Sequence, residues 1–274
     1  MWHTPLLPLL LWAAAGATAS VDFPLLFDIG GAGLNSLSLP ELVKATPRVQ
    51  LHKIIECPHP CGLLPTIGPT GPCDPATAEY GCNGELPQGP DFNLTLHLAT
   101  LEKTLDKSVP VDDDRWIDLD FESWDPLWDR TGVAYQNVSI ALVKKAHPSW
   151  TVAQVLAEAT NEWEAAAMNL LVTTMQFVKK IRPKLKIAMY CYPLREYWNG
   201  YNSSAGDGLR KDNDRMMEIY CNSDGIFPSV YQFYDSTGKP STAATNQEYC
   251  ELQYTRHLFS KTSIENAERV ENFP

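Results

Sequence analysis

The stretch that decides the fold is Trp116-Ile117-Asp118-Leu119-Asp120-Phe121-Glu122. From Asp118 onward it alternates acidic and apolar side chains, which is typical of a β-strand because side chains two residues apart share a face. The three carboxylates are therefore expected on one face. Like charges so close together disfavour joint ionisation and raise the pKa of at least one carboxyl, which keeps it protonated as a general acid. The alternative is a solvated edge strand with a charged outer face.

Aromatic residues flank these carboxylates and favour a site with a general acid over a solvated edge strand. They are Trp116, Phe121, Trp124 and Trp128. Paired carboxylates among aromatic rings are what a sugar-binding cleft requires. The segment therefore predicts a carbohydrate-active site.

Working outward, apolar strand-like runs alternate with helical patterns. The strand candidates are Val21–Ile29, Val49–Ile55, Trp116–Phe121, Leu185–Tyr192 and Asp224–Phe233. The helix candidates are Leu94–Leu105, Val152–Ile181 and Asn246–Asn272, the second of which follows the capping residue Thr151 and stops before Pro183. This alternation predicts an α/β fold with adjacent parallel strands, whose carboxyl-terminal ends face one mouth.

Composition and charge exclude several classes of function. The chain has 274 residues, 44% of them hydrophobic, and 22 Lys and Arg against 33 Asp and Glu, for a formal charge of -11. No basic footprint for duplex nucleic acid or an anionic membrane is present. A polyanionic substrate is still compatible with this charge if a few cations line its groove.

The N-terminal residues predict a secretory route. Leu6–Ala15 is an apolar run of about ten residues, too short to span a bilayer, and Ala17-Thr18-Ala19 follows as a small-x-small cleavage site. Residues 1–19 are expected to be a signal peptide, with a buried N-terminal helix as the alternative, and the protein to be secreted or lysosomal. The sequons at Asn93, Asn137 and Asn202 fit this route. No membrane span is expected.

Seven cysteines support an oxidising compartment. Two local disulfides are expected among four of them, Cys57, Cys61, Cys73 and Cys82, with a zinc knuckle as the competing interpretation. Cys221 is expected to approach Cys250, and Cys191, in an apolar run, to be a small buried thiol. No cofactor and no metal are expected.

The segment Leu119–Trp128, which reads LDFESWDPLW, resembles the signature of the hyaluronidase family of glycoside hydrolases. Four further segments resemble this family in the same order, covering roughly residues 83 to 235. They are Asn83–Gln88, Tyr135–Ser139 with His147–Trp150, Tyr190–Pro193, and Phe227–Tyr231. The resemblance implies a distorted (β/α) TIM-like barrel over residues 20–274. No late strand is recognisable after residue 235, so the barrel is expected to be incomplete at its C-terminus.

The resemblance also implies an activity and roles for residues. A monomer would cleave hyaluronan or a chondroitin-like polysaccharide internally, at N-acetylhexosaminide linkages and with retention of configuration. Glu122 would be the general acid/base, and the acetamido oxygen of the substrate would be the nucleophile. Asp120 would stabilise the oxazolinium, and Tyr190 would hydrogen-bond the acetamido oxygen. The remaining substrate-binding candidates are Asp118, Trp124, Tyr192, Phe227 and Tyr231.

Two alternatives stay open because the chain departs from the family pattern. Leu194 replaces a usual Asp, and Phe227 replaces a usual Tyr. These changes favour an inactive carbohydrate-binding protein. Asp118, usually apolar in the family, completes the Asp118-x-Asp120-x-Glu122 core of a chitinase-like motif, which favours a chitinase-like hydrolase. Retention of both Asp120 and Glu122 favours an enzyme, since an idle buried carboxylate pair destabilises a fold.

Overall fold

A computed structural model describes residues 25–28, 49–52, 54–58, 60–68, 71–72, 82–194 and 202–228. Several predicted features lie outside these ranges. They are the signal peptide at residues 1–19, the helix at Asn246–Asn272, Cys73, Cys250 and the substrate-binding candidate Tyr231. The chain divides into two compact units, Met1–Ile54 and Ile55–Pro274.

The first unit contains two parallel strands. Strand β1, Leu25–Asp28, pairs with β2, Val49–His52, so that Leu25 lies opposite Val49 and Asp28 opposite His52. Both strands fall within the predicted segments, and their parallel pairing is confirmed. They are shorter than predicted because apolar composition does not mark where hydrogen bonding ends.

A three-stranded sheet has its strands in the order β3, β6, β7. Strand β3 is Ile54–Glu56, β6 is Trp116–Leu119 and β7 is Lys186–Met189. Strands β6 and β7 are parallel, with Trp116 opposite Lys186 and Leu119 opposite Met189. Two short strands lie between β3 and β6 along the chain and form a separate antiparallel pair. They are β4 (Ile67–Gly68) and β5 (Gly71–Pro72).

After residue 223 the chain returns to the outer edge of β7. The Asp224 amide donates to Ile187 O at 2.7 Å, and the Ile187 amide donates to Asp224 Oδ2 at 2.8 Å. Phe227 then makes isolated bridges to Tyr190 and Tyr192. Within residues 224–228, this bridge at Phe227 is what the structure shows of the predicted strand Asp224–Phe233.

Five helices accompany the sheet in the described part of the chain. They are α1 (Leu94–Ser108), α2 (Val133–Ala146), α3 (Val152–Ile181), α4 (Ser204–Arg215) and α5 (Met217–Asn222). Helix α3 has the predicted bounds because Thr151 and Gln154 form a capping box at its start. Helix α1 begins at the cap Asn93, whose side chain accepts from the Leu96 amide.

Helix α3 forms the centre of the core. It packs against α1, α2, α5 and β7. Its inner face buries Trp163, Ala167 and Met175 completely, and Ile117 of β6 and Ile187 of β7 are likewise inaccessible. Burial of each such large apolar side chain contributes roughly 1.5–3 kcal/mol to folding. The sheet that carries the acidic motif is therefore supported by a continuous hydrophobic layer. No helix in the described ranges is long and apolar enough to cross a membrane.

A buried histidine ties α1 to α3. His97 is fully inaccessible. Its Nδ1 accepts from the Leu63 amide at 2.9 Å, and its Nε2 lies 3.0 Å from Thr174 Oγ1. Since the Thr174 hydroxyl donates to Leu170 O, Nε2 is the protonated nitrogen of a neutral ring. Burial lowers the pKa of His97 to about 4.

Three of the described cysteines are oxidised. Cys57 and Cys61 form a disulfide, which confirms local pairing for these two residues. Cys82 is also disulfide-bonded. Oxidised sulfurs are not zinc ligands, so the knuckle interpretation is wrong for these three cysteines.

The other two described cysteines carry thiols. Cys221 is a thiol in α5, and the predicted approach of Cys221 to Cys250 stays a prediction. Cys191 is also a thiol, but it is only partly buried. The expectation of a buried Cys191 is therefore wrong, because its thiol contacts the exposed side chain of Glu122.

Candidate functional site

The predicted carboxylates lie at and beyond the carboxyl end of β6. Leu119 and Phe121 are buried, whereas Asp118 and Asp120 are partly exposed and Glu122 is exposed. This is the alternation that the sequence predicts. It arises because the apolar residues face the core while the acidic side chains lie on the opposite face of the strand, where one carboxylate oxygen of Asp118 and one of Asp120 are buried as well. Asp118 lies beside Ala188 of β7 and accepts, through its carbonyl oxygen, from the Cys57 amide at 3.0 Å.

Tyr190 follows β7 at the same edge of the sheet. Its amide donates to Leu119 O at 3.3 Å, which continues the parallel pairing of β6 and β7 beyond the strands themselves. Because carboxyl ends of adjacent parallel strands meet at one edge, Tyr190 and the Asp120–Glu122 segment lie together. The structure thus brings together the three residues to which the resemblance gives chemical roles.

A thiol contacts the exposed carboxylate. Cys191 Sγ donates to Glu122 Oε1 at 2.8 Å. Cys191 has φ of +66°, in the left-handed region that a residue with a Cβ seldom adopts. Sequence reasoning missed this contact, since nothing in a Tyr-Cys-Tyr-Pro segment indicates that the thiol turns toward a residue on another strand.

A second pair joins the same two segments in the interior. The Tyr192 hydroxyl donates to Asp125 Oδ1 at 3.4 Å. Burial raises the pKa of Asp125 to about 6, and Asp212 adds to this shift, while the Tyr192 bond and Arg130 oppose it. Burial also raises the pKa of Tyr192 well above its usual value, and the nearby Asp125 charge adds to this. Asp125 lies within the quoted signature, but sequence reasoning assigned it no role.

The aromatic residues around the carboxylates lie mostly in the interior. Trp124 is 4% exposed and donates from Nε1 to Pro65 O at 2.8 Å. Its ring packs against Phe121 at 4.8 Å and against Trp163 at 5.6 Å between centroids. Tyr192 is 5% exposed. These side chains form a wall behind the carboxylates rather than an open surface beside them.

Phe227 lies at the next position along the sheet edge. It is partly exposed, bridges Tyr190 and Tyr192 through its backbone, and packs against Trp116 with ring centroids 5.7 Å apart. Phe227 therefore belongs to the same edge as Tyr190.

The segment after Glu122 is held by charged residues of α3 and α4. The Trp128 amide donates to Glu164 Oε1 at 2.9 Å, and Arg215 pairs with the same oxygen at 2.5 Å. Arg130 pairs with Asp212 at 2.6 Å. These contacts hold the loop in place through the backbone amide of Trp128 and the side chain of Arg130. They could not be predicted from the sequence, because the partners lie far apart along the chain.

Leu194, where the sequence departs from the family pattern, has a defined environment. Its amide donates to Asn213 Oδ1, and its carbonyl accepts from Asn213 Nδ2, both at 2.8 Å. Asn213 is fully buried and also accepts from the Tyr220 hydroxyl at 2.9 Å. The chain is thus anchored to α4 four residues after Tyr190. Across the described ranges, no group of three or more His, Cys, Asp or Glu side chains could hold a metal ion.

The chain is similar in sequence and in fold to known proteins. A hyaluronidase from Tabanus yao is 33% identical over 58% of this chain and 47% of that protein. A chondroitin hydrolase from Caenorhabditis elegans is 27% identical over 66% of this chain and 39% of that protein. The crystal structure of bee venom hyaluronidase with a hyaluronic acid tetramer is 25% identical, with a TM-score of 0.54 over 66% of this chain and 55% of that chain.

The chain spans about half the length of the curated relatives it matches. The family model for hyaluronidase matches residues 73–252, which is more than half of the 274 residues. This chain therefore belongs to the hyaluronidase family of glycoside hydrolases.

Proposed function

We propose that the protein is a retaining endo-hydrolase of hyaluronan or a chondroitin-like polysaccharide, with Glu122 as its general acid/base. One observation carries the proposal: the exposed Glu122 and the Asp120 before it meet Tyr190 from the adjacent parallel strand at one sheet edge. Family membership supports the class of substrate. The similarity to a chondroitin hydrolase supports testing chondroitin beside hyaluronan.

The first step breaks the glycosidic bond. Glu122 donates its proton to the leaving oxygen while the substrate's acetamido oxygen attacks the anomeric carbon. The bond to the leaving sugar breaks, and an oxazolinium forms. Asp120, which is half-buried one residue beyond β6, stabilises the positive charge that develops at the acetamido nitrogen. Tyr190 orients the acetamido oxygen through its hydroxyl.

The second step restores the enzyme. The ionised Glu122 takes a proton from water, and the resulting hydroxide attacks the anomeric carbon from the side that the leaving sugar vacated. The oxazoline ring opens and the acetamido group is regenerated. Two inversions at the same carbon give net retention. The exposure of Glu122 provides access for both the polymer and the water.

The remaining site candidates divide by burial. Asp118, Phe227 and Tyr231 stay proposed substrate contacts, of which Asp118 and Phe227 are partly exposed. Trp124 and Tyr192 are buried, so we assign them to positioning: Trp124 supports Phe121 from behind, and Tyr192 holds Asp125.

The proposed architecture is a distorted (β/α) barrel. The parallel pairs β1–β2 and β6–β7, each joined through intervening chain, support it, as does the similarity to bee venom hyaluronidase. Secretion is part of the proposal, and the disulfide at Cys57–Cys61 supports it because such bonds persist in oxidising compartments.

The test is a reducing-end assay on size-defined oligosaccharides. Hyaluronan or chondroitin should be cleaved, and proton NMR of the nascent product should show the β-anomer first. De-N-acetylated hyaluronan should resist cleavage, because it lacks the proposed nucleophile. Equal turnover of the de-N-acetylated polymer, or an α-anomer as the first product, would reject the mechanism. A chain that binds these polymers without cleaving them would instead select the inactive binding protein, which Leu194 and Phe227 favour.

One variant separates the chitinase-like alternative. Asp118→Asn should reduce turnover only slightly if hyaluronidase chemistry holds, since Asp118 then has no role in charge stabilisation. It should reduce turnover nearly as much as Asp120→Asn if the chain works as a chitinase-like hydrolase. Chitin oligomers in the same assay show which substrate accompanies which result.

A further inference from the structure

Three contacts on consecutive residues join the segment after β7 to the last residue of β6 and the segment that follows it. The Tyr190 amide binds Leu119 O at 3.3 Å, Cys191 Sγ binds Glu122 Oε1 at 2.8 Å, and the Tyr192 hydroxyl binds Asp125 Oδ1 at 3.4 Å. The outer contacts, one through the backbone and one in the interior, fix the register of the two segments. The thiol of Cys191 is thereby held against the carboxylate of Glu122.

The Glu122 side chain needs such a contact. It is exposed, and a free glutamate side chain has rotamer freedom that must be lost before it can act from one position. Among the contacts described for Glu122, the thiol is the hydrogen-bond donor. A thiol is a weak donor, so it can orient the carboxyl group without preventing the protonation that the first catalytic step requires.

The backbone at Cys191 also points to a role for its side chain. A residue with a Cβ at φ of +66° is strained relative to glycine. Residues held in such conformations cluster at functional sites. A side chain is therefore present where glycine would be easier to accommodate, and that side chain contacts the proposed acid.

We infer that Cys191 is a positioning residue of the active site, whose thiol orients the carboxyl group of Glu122 toward the scissile bond. The inference rests on the proposed function of Glu122.

Three substitutions of Cys191 test this role. Cys191→Ala and Cys191→Gly remove the donor and should lower kcat about three- to tenfold while leaving KM unchanged. Cys191→Gly should fold at least as well as the wild type, because glycine accepts the positive φ. Cys191→Ser keeps a donor in place and should restore most of kcat, which a merely structural role of the thiol would not explain. Unchanged kcat in both the Ala and Gly variants would overturn the inference.

A second measurement reads the contact without using activity. Iodoacetamide alkylates a thiolate by forming an S–C bond as the C–I bond breaks, releasing iodide after the thiol has lost its proton. A neighbouring carboxylate disfavours the thiolate, so Glu122→Gln should speed alkylation of Cys191 about tenfold at neutral pH. Peptide mass spectrometry follows both described thiols at once, and Cys221 serves as the internal control whose rate should not change.

The two measurements distinguish the two ways of failing. An active enzyme whose Cys191 alkylation ignores Glu122→Gln would reject the positioning role alone. A chain without activity on any of the polysaccharides would reject the hydrolase proposal, and with it a catalytic purpose for the contact, even if Cys191 responded to Glu122→Gln as expected.

Discussion

Asp125→Asn should make the protein more stable at neutral pH and no more stable at low pH. Burial raises the pKa of Asp125 from 3.8 to about 6 in the folded state. The folded protein therefore holds this proton more tightly than the unfolded chain does. Between pH 3.8 and 6 the free energy of unfolding falls by about 1.4 kcal/mol per pH unit, and the loss reaches about 3 kcal/mol above pH 6. An asparagine cannot ionise, but it can still accept from the Tyr192 hydroxyl.

Urea unfolding followed by tryptophan fluorescence at pH 4 and pH 7 measures this difference. The variant should match the wild type at pH 4 and exceed it by up to about 3 kcal/mol at pH 7. Asp129→Asn is the matched control, because Asp129 lies in the same loop and is exposed. It should change stability by less than about 0.5 kcal/mol at either pH. A variant of Asp125 that is no more stable than wild type at pH 7 would refute the reasoning.

The free energy of unfolding also depends on pH through His97, in the opposite direction, and the same experiment measures this dependence. Its pKa is lowered from 6.5 to about 4 in the folded state, so the unfolded chain binds more protons between these values, and stability rises with pH there by about 3 kcal/mol in all. In the wild type the contributions of His97 and Asp125 nearly cancel between pH 4 and 6. In Asp125→Asn the rise due to His97 should appear alone.

Three further substitutions test the supports of the site by urea unfolding. Gly62→Ala should lower the free energy of unfolding by roughly 2–4 kcal/mol, because Gly62 has φ of +79° and a Cβ there would lie 2.4 Å from His97 Cε1. Wild-type stability of this variant would contradict the described packing. Asn83→Ala should lower the free energy of unfolding by about 2–3 kcal/mol, since the buried Asn83 side chain donates to Leu63 O and Asn93 O and accepts from the Asn93 amide. A loss below about 0.5 kcal/mol would show that these hydrogen bonds are not formed. Arg215→Met should cost less than about 1 kcal/mol despite its contacts with Glu164 and Asp212, because Arg215 is 41% exposed; a larger loss would mean that the network is shielded from solvent.

Local signals made part of the fold predictable. Helix α3 carries both a capping box and a long apolar face, so its bounds follow from Thr151 and the apolar period. Helix α4 has an N-cap, Ser203, but no long apolar face: its residues are strongly polar, and it buries little beyond Leu209 and Asn213. Helix α2 starts at Gly132 without a side-chain cap. Both helices are stabilised by contacts with distant parts of the chain, which a local pattern does not contain.

The candidate site likewise has features that the local sequence predicts and features that depend on distant residues. Alternation along one strand was sufficient to predict that Asp118, Asp120 and Glu122 share a face. The burial of Trp124 was not predictable, because its partner Pro65 belongs to a distant loop. The contact of Cys191 with Glu122 depends on how two loops meet in space, and the residues on either side of Cys191 do not indicate it.

The central claim is that Glu122 transfers the proton, and the turnover of Glu122→Gln on a size-defined hyaluronan or chondroitin oligomer tests it most directly. The matched control is Glu102→Gln, the same change at an exposed position of α1. With Glu122→Gln, kcat should fall by about two to four orders of magnitude while the Kd for the oligomer stays within about twofold of wild type, and Glu102→Gln should leave both unchanged. Full turnover by Glu122→Gln would contradict the account.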